Sequence, residues 1–146
     1  MRGIRLVCLA AALLAYVAAA ELRAQSASIS VTDGVYTAAQ AQRGKATYVV
    51  FCAGCHADDL LGTNSGDSGA PPLRREGFMS GSNAGALFTK IRRTMPQDAP
   101  GSVPDHDIVD VMAYLFEANG FPAGREELPV VPADLEKIQI VGMILR

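Results

Sequence analysis

The pentapeptide Cys52-Ala53-Gly54-Cys55-His56 constrains this chain more than any other stretch of it. Two thiols at that spacing, at the end of a helix, present sulfur on adjacent turns. Each can add to a vinyl group of a haem, and two thioether bonds then hold the macrocycle at two points. The next residue, His56, lies under the iron and offers an imidazole nitrogen. Cys-x-x-Cys-His is the attachment signature of c-type haem. Two other chemistries also use cysteine pairs. A redox dithiol belongs with a βαβ context, which the helical pattern of this chain lacks. A zinc site wants four ligands, and beyond residue 20 the chain offers only Cys52, Cys55, His56 and His106. A histidine directly after the second cysteine is not a zinc-finger spacing.

The 146 residues leave room for one domain and little more. Met1 to Arg5 carries two positive charges, Leu6 to Ala20 is an apolar run ending in Ala18-Ala19-Ala20, and Arg23-Ala24-Gln25 offers a second small residue. That order is expected of a secretory signal peptide over residues 1–20, with cleavage after Ala20 or as late as Ala24. The alternative is an uncleaved membrane anchor, for which the run falls short of the ~20 residues a spanning helix needs. Loss of residues 1–20 removes Arg2, Arg5 and Cys8, leaving 11 Lys and Arg against 15 Asp and Glu. Such an acidic chain lacks the basic surface that neutralises a run of phosphates, so nucleic-acid binding is excluded. Cys52 and Cys55 would close only a tiny loop as a disulfide and would constrain the unfolded chain very little. A buried haem would supply the missing core.

Residues 21–36 are expected to form a flexible leader. A first helix begins near Thr37, where Thr37-Ala38-Ala39-Gln40 fits a capping box. Ala41, Gly44, Tyr48 and Cys52 then share one helical face. Residues 57–77 are rich in Asp, Gly, Ser, Asn and Pro and read as a long loop, of the kind that wraps something. A second helix is expected over about Asn83 to Arg92, with Leu87, Phe88 and Ile91 on one side. Prolines and a glycine break the chain from Thr94 to Pro104. A third helix follows, about Asp105 to Asn119, with Ile108, Val111, Met112 and Leu115 as its stripe and Asp105 and Asp107 in its first turn. Gly120 and Pro122 end it. A tail over residues 129–146 holds one more helical segment near Ala133 to Ile138. No strand pair is recognisable, and the apolar stretch Ile138 to Leu145 has no clear assignment. The expected fold class is all-α.

The second axial position on iron has five candidates: Met79, Met95, Met112, Met143 and His106. Met112 sits in a helical stripe, where methionine is usually core filling, and Met143 is in the tail. Met79 lies in the irregular Gly77-Phe78-Met79-Ser80-Gly81. Met95 is favoured, because in Thr94-Met95-Pro96-Gln97 a loop leaves a helix and proline stiffens it, which helps to hold a weak thioether on iron. A His/Met pair raises the potential relative to a single imidazole. His106 is expected to face solvent.

These residues resemble the class I monohaem cytochrome c family over about residues 37–128. Gly44 and Tyr48 stand before Cys52 as the family's glycine and aromatic do, and Val111 and Tyr114 match its last helix. The resemblance implies a helical cytochrome c fold wrapped around one covalent haem c, with Gly44 packed against Tyr114. Pro71-Pro72-Leu73 resembles the family's Pro-x-Leu. By that match the Pro71 carbonyl would accept the Nδ1 proton of His56, and Leu73 would pack on the haem. Thr94-Met95-Pro96 looks like the axial methionine loop. Two positions depart from the pattern. Arg75 replaces a usual glycine, which implies a re-routed loop. Pro104 replaces a usual Ser or Thr cap, leaving Val103 or Asp105 as the boundary. The segments 94–102, 119–124 and 127–129 are similar to periplasmic cytochromes that accompany quinoprotein and related dehydrogenases.

The functional expectation is a periplasmic electron-transfer protein rather than an enzyme, either a mobile carrier or the cytochrome subunit of a dehydrogenase. Its partners would be a dehydrogenase donor and an oxidase or cytochrome acceptor. Arg74, Arg75, Lys90, Arg92 and Arg93 are cationic while the stretch from Asp105 to Glu136 is acidic. That asymmetry either steers partners or is an ordinary mixed surface. The competing readings are an open-iron haem protein, such as a small peroxidase or gas sensor, and a zinc-holding module.

Overall fold

Thr37 begins the first long helix because its extended backbone lets its hydroxyl accept from the Gln40 N–H at 3.1 Å, a side-chain N-cap. In the computed structural model, which describes residues 29–63 and 69–142, this helix is α1, Ala38–Phe51. A short strand, β1 (Ile29–Ser30), and a 3-10 turn at Val31–Asp33 precede it. After it come α2 (Ala53–His56), β2 (Ser82–Asn83), α3 (Ala84–Thr94), α4 (Asp105–Ala118), α5 (Pro132–Leu135) and β3 (Ile138–Ile140). The expected signal segment lies outside the described residues.

The core is built where α1 crosses α4. Gln40, Ala41, Gly44 and Tyr48 form the buried face of α1, spaced for one side of a helix. A Cβ on Gly44 would overlap the carbonyl oxygen of Asp110 and come within 2.8 Å of Val111 N. Glycine therefore brings the two backbones into contact. The atoms nearest Gly44 belong to the α4 backbone at 110–111. Tyr114, one turn further along, packs on Tyr48 with ring centroids 5.3 Å apart. The α4 side contributes Ile108, Val111, Met112 and Leu115, all buried.

α3 is capped by Asn83, whose side chain accepts from the Ala86 N–H at 2.8 Å, and it ends with Arg92 and Arg93 in its last turn, where cations complement the helix dipole. Arg92 also pairs with Asp105 at the start of α4, 2.9 Å apart. Pro104 itself occupies the α4 cap position, in place of Val103 or Asp105, and makes no side-chain cap. It serves because a cap needs only its carbonyl for the first helical bond, here from the Ile108 N–H at 3.0 Å.

The described residues are helix-rich, as expected, but they also hold a small sheet that an all-α fold lacks. β1, β3 and β2 form a three-stranded sheet in that order. β1 pairs with β3 in parallel, Ile29 opposite Ile138, and β2 pairs with it antiparallel, Asn83 opposite Gln139. Ile138 and Ile140 face inward and Gln139 outward, so the first three residues of the unassigned apolar stretch form the central strand. The final helical segment accordingly stops at Leu135 instead of reaching Ile138.

The flexible leader also needs correction, since residues 29–36 belong to the fold. Val31 and Tyr36 are fully buried. The Tyr36 hydroxyl donates to the Phe121 carbonyl at 2.6 Å, and the Gly124 N–H donates to the Tyr36 carbonyl at 2.7 Å. Burial, more than the charge of Glu117, pushes the Tyr36 phenol up to about 12, so it stays a hydrogen-bond donor throughout the physiological range. The chain beyond α4 is held by Gln40, whose amide donates to the Leu128 carbonyl at 3.3 Å and accepts from its N–H at 2.8 Å. Arg43 binds Asp110 on α4 and Glu127 beyond it, each through two nitrogen–oxygen contacts.

Candidate haem site

Cys52 closes α1 and opens α2. Its N–H donates to the Tyr48 carbonyl at 2.8 Å, and its own carbonyl accepts from Cys55 and His56 at 3.1 and 2.9 Å. The pentapeptide is thus one tight helical turn. Ala57 then leaves the helix with φ 62° and ψ 159°, a region that glycine enters freely and alanine rarely does. The Tyr48 hydroxyl donates to the Ala57 carbonyl at 2.7 Å, and the Gly62 N–H donates to the His56 carbonyl at 3.0 Å. Both ends of the turn are fixed.

His56 is buried. Its Nδ1 lies 3.0 Å from the Pro71 carbonyl oxygen. A carbonyl only accepts, so Nδ1 carries the proton and Nε2 keeps the lone pair that a metal takes. The Pro71 loop is itself tied down. Leu73 and Arg74 donate to the Leu60 carbonyl at 2.8 and 3.1 Å. Asn119, 3 % exposed, donates from Nδ2 to the Leu73 and Leu115 carbonyls, both at 2.8 Å, and accepts at Oδ1 from the Arg75 N–H at 3.1 Å. At the Arg75 position, where a glycine is usual, the backbone is anchored on Asn119.

Cys52, Cys55, His56, Pro71 and Leu73 line a single cleft together with Met79 and Met95. Phe51, Phe78, Leu87, Ile91, Val111 and Leu115 make most of its wall, with Lys90 and Gln97 as polar members. An apolar macrocycle bearing two vinyl groups and an iron fits this donor set: greasy walls, two unpaired thiols and one oriented imidazole. Cys52 and Cys55 would hold the group covalently and His56 would bind its iron. When bound, the group supplies a one-electron ferric/ferrous couple.

Met95 caps the C-terminus of α3, its N–H donating to the Ile91 carbonyl at 2.9 Å. Met79 occupies a turn with φ 51°. Both face the same cleft. Met112 is fully buried in the α4 core, and Met143 lies outside the described residues. His106 is 71 % exposed in the first turn of α4, with Nε2 3.4 Å from Asp107 Oδ1.

The other chemistries find less support. Burial, and then the neighbouring Cys55, push the Cys52 thiol up to about 11, whereas thiol exchange is carried by the thiolate. Among the described residues no three His, Cys, Asp or Glu side chains cluster to hold a metal ion.

Residues that the motif alone did not reveal are Phe51, Phe78, Lys90 and Gln97 in the cleft, and Asn119 behind it. Phe51 directly precedes the pentapeptide and Gln97 follows Met95-Pro96, so proximity to those motifs was an available signal. Asn119 had none, because two of its three partners come from a loop more than 40 residues away.

The family model described as cytochrome C oxidase, cbb3-type, subunit III matches residues 39–115. The chain belongs to this family of c-type cytochrome domains. The matched span runs from the start of α1, through the pentapeptide and Met95, to Leu115 near the end of α4. Such a domain implies covalently bound haem c and electron transfer rather than catalysis. No curated protein and no solved structure matches the chain. Among the described residues no helix is long and apolar enough to cross a membrane.

Proposed function

We propose that this protein carries single electrons outside the cytoplasm through one haem c, joined by thioether bonds to Cys52 and Cys55 and ligated by His56 and Met95. The observation that carries the reading is that both thiols, the imidazole and the Met95 thioether face one apolar cleft, with His56 already oriented by Pro71. Two protein ligands on iron leave no place for a substrate, which suits outer-sphere transfer. Leu73 would pack against the macrocycle. The basic start and apolar run at residues 1–20 support export to the periplasm after signal cleavage.

The donor we favour is a periplasmic dehydrogenase of the quinoprotein type, on the resemblance of segments 94–102, 119–124 and 127–129. The acceptor is an oxidase or another cytochrome, and the family description itself names an oxidase. Lys90 at the cleft and the nearby arginines would meet an acidic partner, although Arg92 is already paired with Asp105 and Glu136 lies beside Lys90 and Arg93. Steering of that kind makes the electron-transfer rate fall as salt rises.

The test is export of the full chain from a host with haem-attachment machinery. The expected product is red, keeps its haem in acidified acetone, and shows low-spin spectra in both redox states. A colourless product with one zinc per chain would transfer the reading to a metal-holding module. Rapid carbon monoxide binding, without a methionine-to-iron charge-transfer band, would transfer it to an open-iron protein.

A further inference from the structure

Asn119 stands at the end of α4, buried, with its amide fully engaged. Two of its three hydrogen bonds reach residues 73 and 75 of the loop that presents Pro71 to His56, and the third returns to its own helix at Leu115. Leu115 also lines the cleft. On the near side of Pro71, Ala70 is bonded to the Thr63 N–H and hydroxyl, and on the far side Leu73 and Arg74 donate to the Leu60 carbonyl. Asn119 supplies the side-chain anchors on the far side, and loop backbone keeps its place only where its polar groups are held. A shift of a few tenths of an ångström at Pro71 would lengthen the 3.0 Å bond to His56 Nδ1 out of the good hydrogen-bond range.

We infer that Asn119 is a positioning residue for the axial histidine: it holds residues 73–75 so that the Pro71 carbonyl stays on the His56 Nδ1 proton, and it thereby sets the donor strength of that ligand. The inference rests on the haem reading above and adds a control point outside residues 39–115, the span matched by the family. A histidine whose Nδ1–H donates to a carbonyl is a more basic ligand and favours the ferric state. Loss of that bond favours the ferrous state. The Leu73 carbonyl and the Arg75 N–H would lose their Asn119 partner, whereas the Leu115 carbonyl keeps the Asn119 N–H at 3.1 Å, so stability falls as well. The readouts must therefore separate positioning from folding.

The experiment uses the haem-loaded full chain and the variants Asn119→Leu and Asn119→Asp. Leucine removes every bond, whereas aspartate keeps an acceptor for Arg75 and loses the donor to Leu73. Nitrogen-15 NMR reads the solvent exchange of the His56 Nδ1 proton, and potentiometry reads the couple. Asn119→Leu is expected to speed that exchange at least tenfold and to move the ferric–ferrous equilibrium toward ferrous by roughly threefold, on a scale of about 59 mV per tenfold. Asn119→Asp should lie between it and the wild type, and it carries the test if the leucine variant does not fold. If both variants melt earlier while proton exchange and potential stay at wild-type values, Asn119 is a structural cap only and the inference falls. A wild type without covalent haem overturns the electron-carrier reading itself, and the redox part of this inference with it. A wild type with haem and unmoved variants overturns the inference alone.

Discussion

Gly44 and Asp110 meet backbone to backbone where α1 crosses α4, with no space for a side chain between them. The contact joins the helix that ends in the Cys-x-x-Cys-His turn to the helix whose Val111 and Leu115 line the cleft. Gly44→Ala would gain slightly in helix propensity, at most about 1 kcal/mol. Its methyl group would push against a carbonyl that cannot rotate away, and overpacking of this kind costs about 1–3 kcal/mol. The variant is expected to be less stable to urea and to mature with less haem than the wild type. Equal urea midpoints would show that the helices separate without cost.

Tyr48 does for the exit of the Cys-x-x-Cys-His turn what Gly44 does for the crossing. Its hydroxyl donates to the Ala57 carbonyl at 2.7 Å, on the residue whose φ of 62° is unusual for alanine. Tyr48→Phe keeps the ring contact with Tyr114 and leaves that carbonyl only the longer bond from the Leu60 N–H at 3.3 Å, a loss of about 1 kcal/mol. Ala57→Gly should act in the opposite direction, because it relieves the left-handed conformation at the cost of chain entropy. Chemical denaturation of the two variants should place them on either side of the wild type. A stabilised Tyr48→Phe would refute the assigned role of the hydroxyl.

Much of the site was legible before the fold was known, because its chemistry is local. Cys52, Cys55 and His56 lie within one pentapeptide, Pro96 follows Met95 directly, and Thr37 is a cap recognised from its own side chain. The features that escaped are all long-range. Gln40 finds Leu128 across 88 residues, and β3 lies between strands that begin at Ile29 and Ser82. Strands of two or three residues carry no period that could be read from sequence. Asn119 looks like an ordinary helix end before a glycine, and only the fold brings the 73–75 backbone to it. The backbone contact of Gly44 with Asp110 was not legible either, because a pattern of small and aromatic residues names the helices that cross but not the atoms that touch.

Acid should weaken the attachment of the chain beyond α4. The Arg43 guanidinium, hydrogen-bonded to Glu127, holds that carboxyl below its ordinary value of 4.5. A depressed carboxylate contributes stability that is fully present above the unfolded value and is lost as pH falls through the folded one. Both groups are solvent-exposed, so the contribution is small and screened by salt. Glu127→Gln is therefore expected to lower the melting temperature at neutral pH in low salt and to converge with the wild type well below pH 4.5. A gap of constant size across the pH series would mean that the Glu127 charge plays no part.

Met95 and Met79 compete for one position, and their variants should tell them apart. Both face the cleft, but Met95 is fixed at a helix end with its N–H bonded to Ile91, whereas Met79 sits in a turn with a left-handed backbone. A thioether is a weak ligand and relies on the rigidity of the segment that presents it, so the helix end is favoured. Met95→Ala should abolish the methionine-to-iron charge-transfer band and admit carbon monoxide to the reduced protein. It should also lower the potential by more than about 59 mV, the equivalent of tenfold in a one-electron couple. Met79→Ala should keep band and ligation and change the potential by less, through altered packing alone. The opposite pattern would assign the iron to Met79. Loss of the band in both variants would mean that Met79 is needed to keep Met95 in place, which the temperature dependence of the band in Met79→Leu would resolve, since leucine restores the packing without a sulfur.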